Sequence, residues 1–242
     1  MPISLQFHTT SAVEGWDQTA VLTLSGDITL PSVTDGVLVV RLHTLALDFG
    51  GASTITWGPQ SLTQERRDFS SAGGGRDPCT EIWVLPGYTS GLATLTITLN
   101  GEPTVTHVAF CSIDVWDNVD QTTPSEARNG LTQTSGTTIS QSLTTITSNA
   151  VIVGGVSNKV ASTPNTPDTG QTEDYDADYA GATDTLSVMG GYEIIASPGT
   201  ESMGWSTLGN DDSTISICAL KLASAVAVKS FVSGKKPSRM LL

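Results

Sequence analysis

The sequence predicts an all-β chain, a jelly-roll-like sandwich of two antiparallel sheets with long polar loops and a C-terminal tail. Three observations predict it. Runs rich in Val, Ile, Leu and Thr recur along the 242 residues, broken by Gly, Pro, Asn and Asp, the residue types that favour strands and turns. No segment repeats its apolar positions with the period of an amphipathic helix. The first and last strand candidates are both strongly patterned, and a jelly roll places such ends side by side through its two Greek keys.

Each element follows in order. "TAVLTLS" (19–25) is the first strand candidate. "GVLVVRLHTLAL" (36–47) is longer, with Leu38, Val40 and Leu42 on one face and Val39, Arg41 and His43 on the other. Gly50 and Gly51 are free to take positive φ and make the turn that ends it. "STITW" (53–57) and "QSLT" (60–63) are the arms of a tight hairpin cornered by Gly58-Pro59, and Trp57 closes the edge of the sandwich. Residues 64–78 read as a polar loop with a glycine triplet, and "CTEIWVL" (79–85) as the next strand. "GLATLTITLN" (91–100) alternates strictly, apolar in and Thr out, and Asn100-Gly101 is a hairpin turn. "TVTHVAFCSIDVW" (104–116) is apolar on both faces, which places it centrally.

Beyond it the pattern weakens. Residues 117–142 read as a long polar connection, "LTTITSNAVIVGGV" (143–156) as a strand, and residues 157–184 as the most loop-like part of the chain. "TLSVM" (185–189), "YEIIAS" (192–197), "ESMGWST" (201–207) and "STISICALKLA" (213–223) complete the sandwich. No internal repeat is legible, so one domain is expected over 1–224, followed by a basic tail over 225–242.

Composition excludes several classes. The formal net charge is −13, which disfavours binding to phosphate backbones. No apolar run approaches membrane-spanning length. "MPISLQFHTT" has neither a basic start nor a long apolar run, so no secretory signal is expected. Cys79, Cys111 and Cys218 are an odd, sparse set; the latter two sit in apolar strands and are expected to be buried reduced thiols.

Tests for chemistry are mostly negative. There is no G-x-S-x-G elbow, no H-E-x-x-H, no C-x-x-C and no phosphate loop. His8, His43 and His107 lie in different segments and read as surface or satisfied strand residues. Asp114 and Asp117, flanking Trp116, are the best carboxylate pair, with turn formation as the simpler role. Asp174, Asp176 and Asp178 have calcium-loop spacing, but Tyr179 and Thr185 stand where such a loop needs Gly and Glu. Trp57, Trp83, Trp116 and Trp205 read as packing residues before they read as a sugar platform. No catalytic residue, cofactor or metal is therefore expected. The tail "VKSFVSGKKPSRMLL" pairs an apolar patch, Phe231 and Val232, with Lys235, Lys236 and Arg239. It reads as a subunit-docking arm for an acidic neighbour.

The order of segments resembles a β-sandwich family of bacteriophage virion proteins. The resemblance is carried by "VLVVRLHTL", "GGASTITWGPQSLTQ", "EIWVLPGYTSGLATLTITLNG", "THVAFCSIDVWDNVDQTTP" and "ESMGWST…STISICALKLA". It covers roughly 36–120 and 184–223, and its motifs are structural. It implies a non-enzymatic structural protein of a tailed-phage virion, assembled in the host cytoplasm, of the capsid decoration (cement) type. Its implied partners are the major capsid protein or other virion subunits and further copies of itself, with a trimer favoured. The alternative is a tail- or fibre-associated adhesin or carbohydrate-binding module that recognises a host-surface glycan. Neither nucleic acid nor membrane is implied as a partner.

Overall fold

The computed structural model describes residues 1–16, 21–47, 51–70, 76–99, 107–180 and 185–224. Among these the chain is all β and antiparallel throughout. Residues 4–117 form β1 (Ser4–Trp16), β2 (Val21–Leu30), β3 (Val37–Leu47), β4 (Ala52–Trp57), β5 (Gln60–Ser61), β6 (Thr63–Phe69), β7 (Arg76–Pro86), β8 (Gly91–Leu99) and β9 (His107–Asp117). Residues 125–220 form β10 (Ser125–Gln133), β11 (Thr138–Thr144), β12 (Ala150–Asn158), β13 (Thr166–Pro167), β14 (Thr172–Ala180), β15 (Thr185–Ile195), β16 (Thr200–Ser206) and β17 (Ser213–Leu220).

The strands build four sheets. The first inner sheet runs β1-β9-β3-β7-β6 and the first outer sheet β2-β8-β4-β5. This is jelly-roll order, with β1 beside β9 and β6 added at an edge. The strand expected first, at 19–25, is the second, β2, and the strand expected beside it, at 213–223, is β17 of another sheet; the first strand is Ser4–Trp16, where the sequence reading assigns none. The second inner sheet runs β10-β17-β12-β15-β14 and the second outer sheet β11-β16-β13. Aligning β1 with β10, β3 with β12, β7 with β15 and β9 with β17 superposes the two orders. The jelly-roll plan is therefore used twice in tandem, although no repeat is legible from the sequence alone. One echo survives: Glu81-Ile82 and Glu193-Ile194 each stand five residues ahead of Pro86-Gly87 and Pro198-Gly199, and each Pro-Gly lies at or just beyond the end of its strand.

The sheets stack in four layers, outer, inner, inner, outer. Leu38, Val40, Leu42, Ile55, Trp57, Leu95, Ile97 and Ile113 fill the space between the first outer and inner sheets. Ile139, Ile152, Met203, Trp205, Ile215 and Ile217 do the same in the second sandwich. The two inner sheets face each other through Val37, Val39, Ile82, Trp116, Val151, Val153 and Leu220, with a second apolar patch around Phe110, Tyr175 and Val188. Strands of an inner sheet are thus covered on both faces, which is why β12 and β17 are buried at every residue and read as continuous apolar runs.

The hairpin expected around Gly58-Pro59 is present, with Thr56 paired to Ser61 and Trp57 to Gln60. Trp57 is buried in the first sandwich core rather than lying at its rim. Gly51 has φ 104°, as its turn requires; Gly50 and the Asn100-Gly101 turn lie outside the described residues. Four further expectations are corrected. Residues 64–69, 125–133 and 172–180 are strands, not loop, and 185–195 is one continuous strand rather than two. The three polar segments are the edges β6, β10 and β14 of the inner sheets. An edge strand is only partly covered and carries charge that discourages further pairing, so its sequence lacks the apolar alternation that marks a strand. The tail residues Phe231, Val232, Lys235, Lys236 and Arg239 lie outside the described residues.

Candidate functional site

The most concentrated chemistry lies between the two inner sheets. Arg41, on β3, is fully buried. Its Nε donates to Ser112 Oγ at 2.9 Å and its Nη2 to Asp114 Oδ2 at 2.8 Å, both on β9. Across the interface Nη1 donates to the carbonyls of Gly154 and Gly191 at 3.1 and 3.0 Å, and Nη2 to Asp174 Oδ2 at 2.6 Å. A guanidinium has five N–H groups, and these contacts engage all of them. Burial opposes the charge most strongly, but Asp114, Tyr175 and Asp174 outweigh it and raise the Arg41 pKa. The side chain therefore stays cationic while spanning the two sandwiches.

His8, on β1, closes the outer side of this group. Its Nδ1 lies 2.6 Å from Asp114 Oδ1, and its side chain is 26% exposed. The hydrogen bond to Asp114 raises its pKa, against burial. With His8 protonated, two cations and two carboxylates balance. Asp174 is the extra residue of a bulge between Glu173 and Tyr175, a local kink that re-aims a side chain. Here it turns the carboxylate inward to Arg41.

Beside this cluster His43 is buried, with Nδ1 2.9 Å from Ser157 Oγ and Nε2 2.7 Å from the Tyr175 hydroxyl. Burial, then Arg41, lowers its pKa to about 3, so it is neutral. The ring of Tyr175 stacks with His8 at 6.4 Å and meets Phe110 at 4.7 Å. Two histidines from different segments thus converge on one tyrosine. The seam continues through Thr80 Oγ1, 2.8 Å from both Ser157 Oγ and Thr214 Oγ1, and through Ser216 Oγ, which donates to Asp68 Oδ2 at 2.7 Å.

Glycine makes room for the cluster. Gly154 pairs with Gly191 and Gly155 with Gly190 across β12 and β15. A Cβ on Gly190 would lie 2.2 Å from Tyr175 Cζ, and one on Gly155 2.7 Å from His43 Cε1. Sequence reasoning did not single out Arg41, Tyr175 or Ser157 as site residues, and it weighed Asp174 only as part of a calcium loop. The signal was present in the Gly-Gly doublets of "VIVGGVSN" and "SVMGGYEI", because glycine inside a strand marks a close approach.

The other candidates separate in space. Asp114 faces the second sandwich, whereas Asp117 falls on the opposite face of β9 by strand alternation and accepts hydrogen bonds from Ser4 N and Oγ. The pair therefore does not flank a common space. Asp176 is spent on Asn165 N and Nδ2, and Asp178 on the amides of Ser162 and Thr163, so the three alternating aspartates build no shared cage. Ligand atoms of His8, Asp114 and Asp174 lie within 4.8 Å of one another. Arg41 Nη2 already sits against both carboxylates, so a divalent ion would meet a guanidinium there, and these residues do not fit one. Trp57, Trp83, Trp116 and Trp205 are all buried. They form no exposed sugar platform, and the side chain of Trp16 lies outside the described residues.

A second buried carboxylate stands in the first sandwich. Glu81 accepts from Ala52 N at 2.8 Å, Gln64 Nε2 at 2.9 Å and Trp83 Nε1 at 3.0 Å, and lies 3.3 Å from Arg67 Nε. Burial outweighs these donors and pushes its pKa up to about 7. All three cysteines are free and buried.

No known protein family, curated protein or solved structure matches this chain. The fold and the buried cluster together define the class: a double jelly-roll β protein whose densest group of ionisable side chains joins its halves.

Proposed function

We propose that this chain is a non-enzymatic structural protein of a tailed-phage virion, of the capsid decoration (cement) type. The observation that carries the reading is the state of Arg41, His43, Asp114 and Asp174. These are the residue types that catalysis uses, yet Arg41 is held by Asp114 and Asp174, and His43 by Ser157 and Tyr175, with all four side chains covered between the inner sheets. They weld two sandwiches into one stack and offer no open face to a substrate. Jelly rolls recur in viral capsid and lectin domains, and a fold shared that widely does not by itself fix a function. The segment order that resembles phage virion proteins supplies the rest of the support.

Such a protein acts by mass action, stabilising the particle through the contacts it adds. Its partners would be the major capsid protein and further copies of itself, with the basic tail carrying Phe231, Val232, Lys235, Lys236 and Arg239 as the docking arm. Light scattering should find an oligomer, a trimer first of all, and particles lacking the protein should bind it and withstand heat better. A monomer that leaves such particles unchanged would remove the reading. Glycan recognition is the second reading, and one surface feature favours it.

A further inference from the structure

A polar cleft of about 190 Å³ opens at one end of the first sandwich, away from the buried cluster. Its walls include Ser32, Asp35, Gly87, Tyr88, Ser90 and Gln121, drawn from three connections: β2 to β3, β7 to β8, and β9 to β10. We propose that this cleft is a saccharide site that takes one neutral sugar ring of a glycan.

Three properties support the assignment. The first is rigidity. Gly87 N donates to Gly36 O, Asn118 N to Thr34 O and Val119 N to Asp35 O, so the connections are tied to one another by backbone bonds. Tyr88 donates its hydroxyl to Pro31 O at 2.5 Å. Gln60 holds the same turn from both sides, donating to Gly87 O and accepting from Thr89 N, and Trp57 Nε1 donates to Thr89 O. Asp35, Gly87 and Asn118 all have positive φ, at 47°, 61° and 54°. Asp and Asn are the non-glycine types that take left-handed backbone most readily, so these turns are made of residues that suit them. Preorganisation of this kind lowers the cost of binding.

The second is chemistry. The wall offers hydroxyls from Ser32 and Ser90, a carboxylate from Asp35, an amide from Gln121 and the ring of Tyr88. Gln121 Nε2 donates one hydrogen to Val119 O, which orients the amide and leaves its Oε1 as an acceptor. Sugar hydroxyls both donate and accept, so they match this mixture, and the apolar face of a pyranose suits an aromatic ring. None of the lining residues is cationic, so a phosphate or carboxylate ligand is disfavoured.

The third is size. The volume lies below the ~300 Å³ at which drug-sized pockets begin, so it suits one ring rather than a chain of them. The site is independent of the capsid reading, because it needs only the first sandwich and its connections.

The test is titration of the full-length, 15N-labelled protein with methyl glycosides of neutral hexoses, deoxyhexoses and N-acetylhexosamines, with methylammonium in parallel. At least one glycoside should shift the amides of Asp35, Gly87, Ser90 and Gln121 saturably, with Kd of millimolar order. Asp35→Asn tolerates the same backbone and should weaken that binding about tenfold, through loss of a charge-assisted hydrogen bond. Ser90→Ala should weaken it less, with the remaining amide spectrum unchanged in both variants. Silence across all glycosides, shifts confined to other surfaces, or saturable binding of methylammonium alone would each overturn the assignment.

Discussion

Arg41 and Asp174 stand 133 positions apart in the chain and meet at 2.6 Å between the two inner sheets. One belongs to the first jelly roll and the other to an edge strand of the second. Their contact, shared with Asp114, places a complete ion network inside the molecule. A buried network of this kind resists removal of one member more than replacement of the whole.

Arg41→Met should therefore destabilise the protein by about 3–5 kcal/mol, because Asp114 and Asp174 lose their counter-charge. Urea unfolding followed by tryptophan fluorescence checks this. The double variant Arg41→Met, Asp174→Leu should recover part of the loss. A single variant within ~0.5 kcal/mol of wild type, the range of ordinary surface substitutions, would show the network to be energetically idle.

His8 makes stability pH-dependent in a known direction. Its folded pKa is raised, chiefly by the hydrogen bond to Asp114, so the native state holds the proton more tightly than the unfolded chain does. The contribution is fully present below about pH 6.5 and is lost as pH rises through the folded value. His43 works in the opposite sense. It stays neutral down to about 3, so stability falls as pH drops below about 6.5, where only the unfolded chain takes the proton. His8→Gln should cost more stability at about pH 6 than at about pH 9. An equal cost at both would show that the proton on His8 does not matter.

Glu81→Gln should destabilise by about 1–3 kcal/mol although it removes a buried charge. The carboxylate accepts from Ala52 N, Gln64 Nε2 and Trp83 Nε1, and an amide would turn its own donors toward some of these. Wild-type stability should also decline as pH rises from the ordinary carboxyl range toward about 7, because the native carboxyl keeps its proton longer than the unfolded one. The variant should lack that slope. A variant as stable as wild type, with the slope intact, would contradict both expectations.

Gly190→Ala should be more harmful than an exposed alanine substitution, since its Cβ would lie 2.2 Å from Tyr175 Cζ. Displacing Tyr175 breaks its 2.7 Å contact with His43. A lowered thermal midpoint, with a changed His43 ring resonance, is the expected result; an unshifted His43 resonance would show that the ring has room to spare.

The thiols should be inert in the native state. Burial is the main cause that raises the pKa of all three, with Cys111 pushed up to about 12. Dithionitrobenzoate should label none of them until denaturant is added. Prompt labelling would place at least one thiol in contact with solvent.

Much of the first jelly roll is legible in the sequence. The alternation of β8, the apolar face of β3 and the two-faced apolar run of β9 follow from burial on one or both faces, and the Gly58-Pro59 corner follows from turn chemistry. The edges β6, β10 and β14 were not legible. An edge need not be apolar, so its sequence resembles loop. The site was hidden for a related reason. Arg41 and His43 share a face of β3 with Val39, and only a second sandwich laid against that face buries them.

The all-β class, the jelly-roll plan in outline, and the buried fate of Trp83 and Trp116 were set by the sequence alone. These depend on local periodicity and turn residues, which act over a few positions. Tertiary structure alone decided that the plan is used twice, that the inner sheets face each other, and that Arg41, Asp114, Asp174 and His8 form one charge-balanced group. Such contacts join residues more than a hundred positions apart, and only the packing of whole sheets brings them within hydrogen-bond distance.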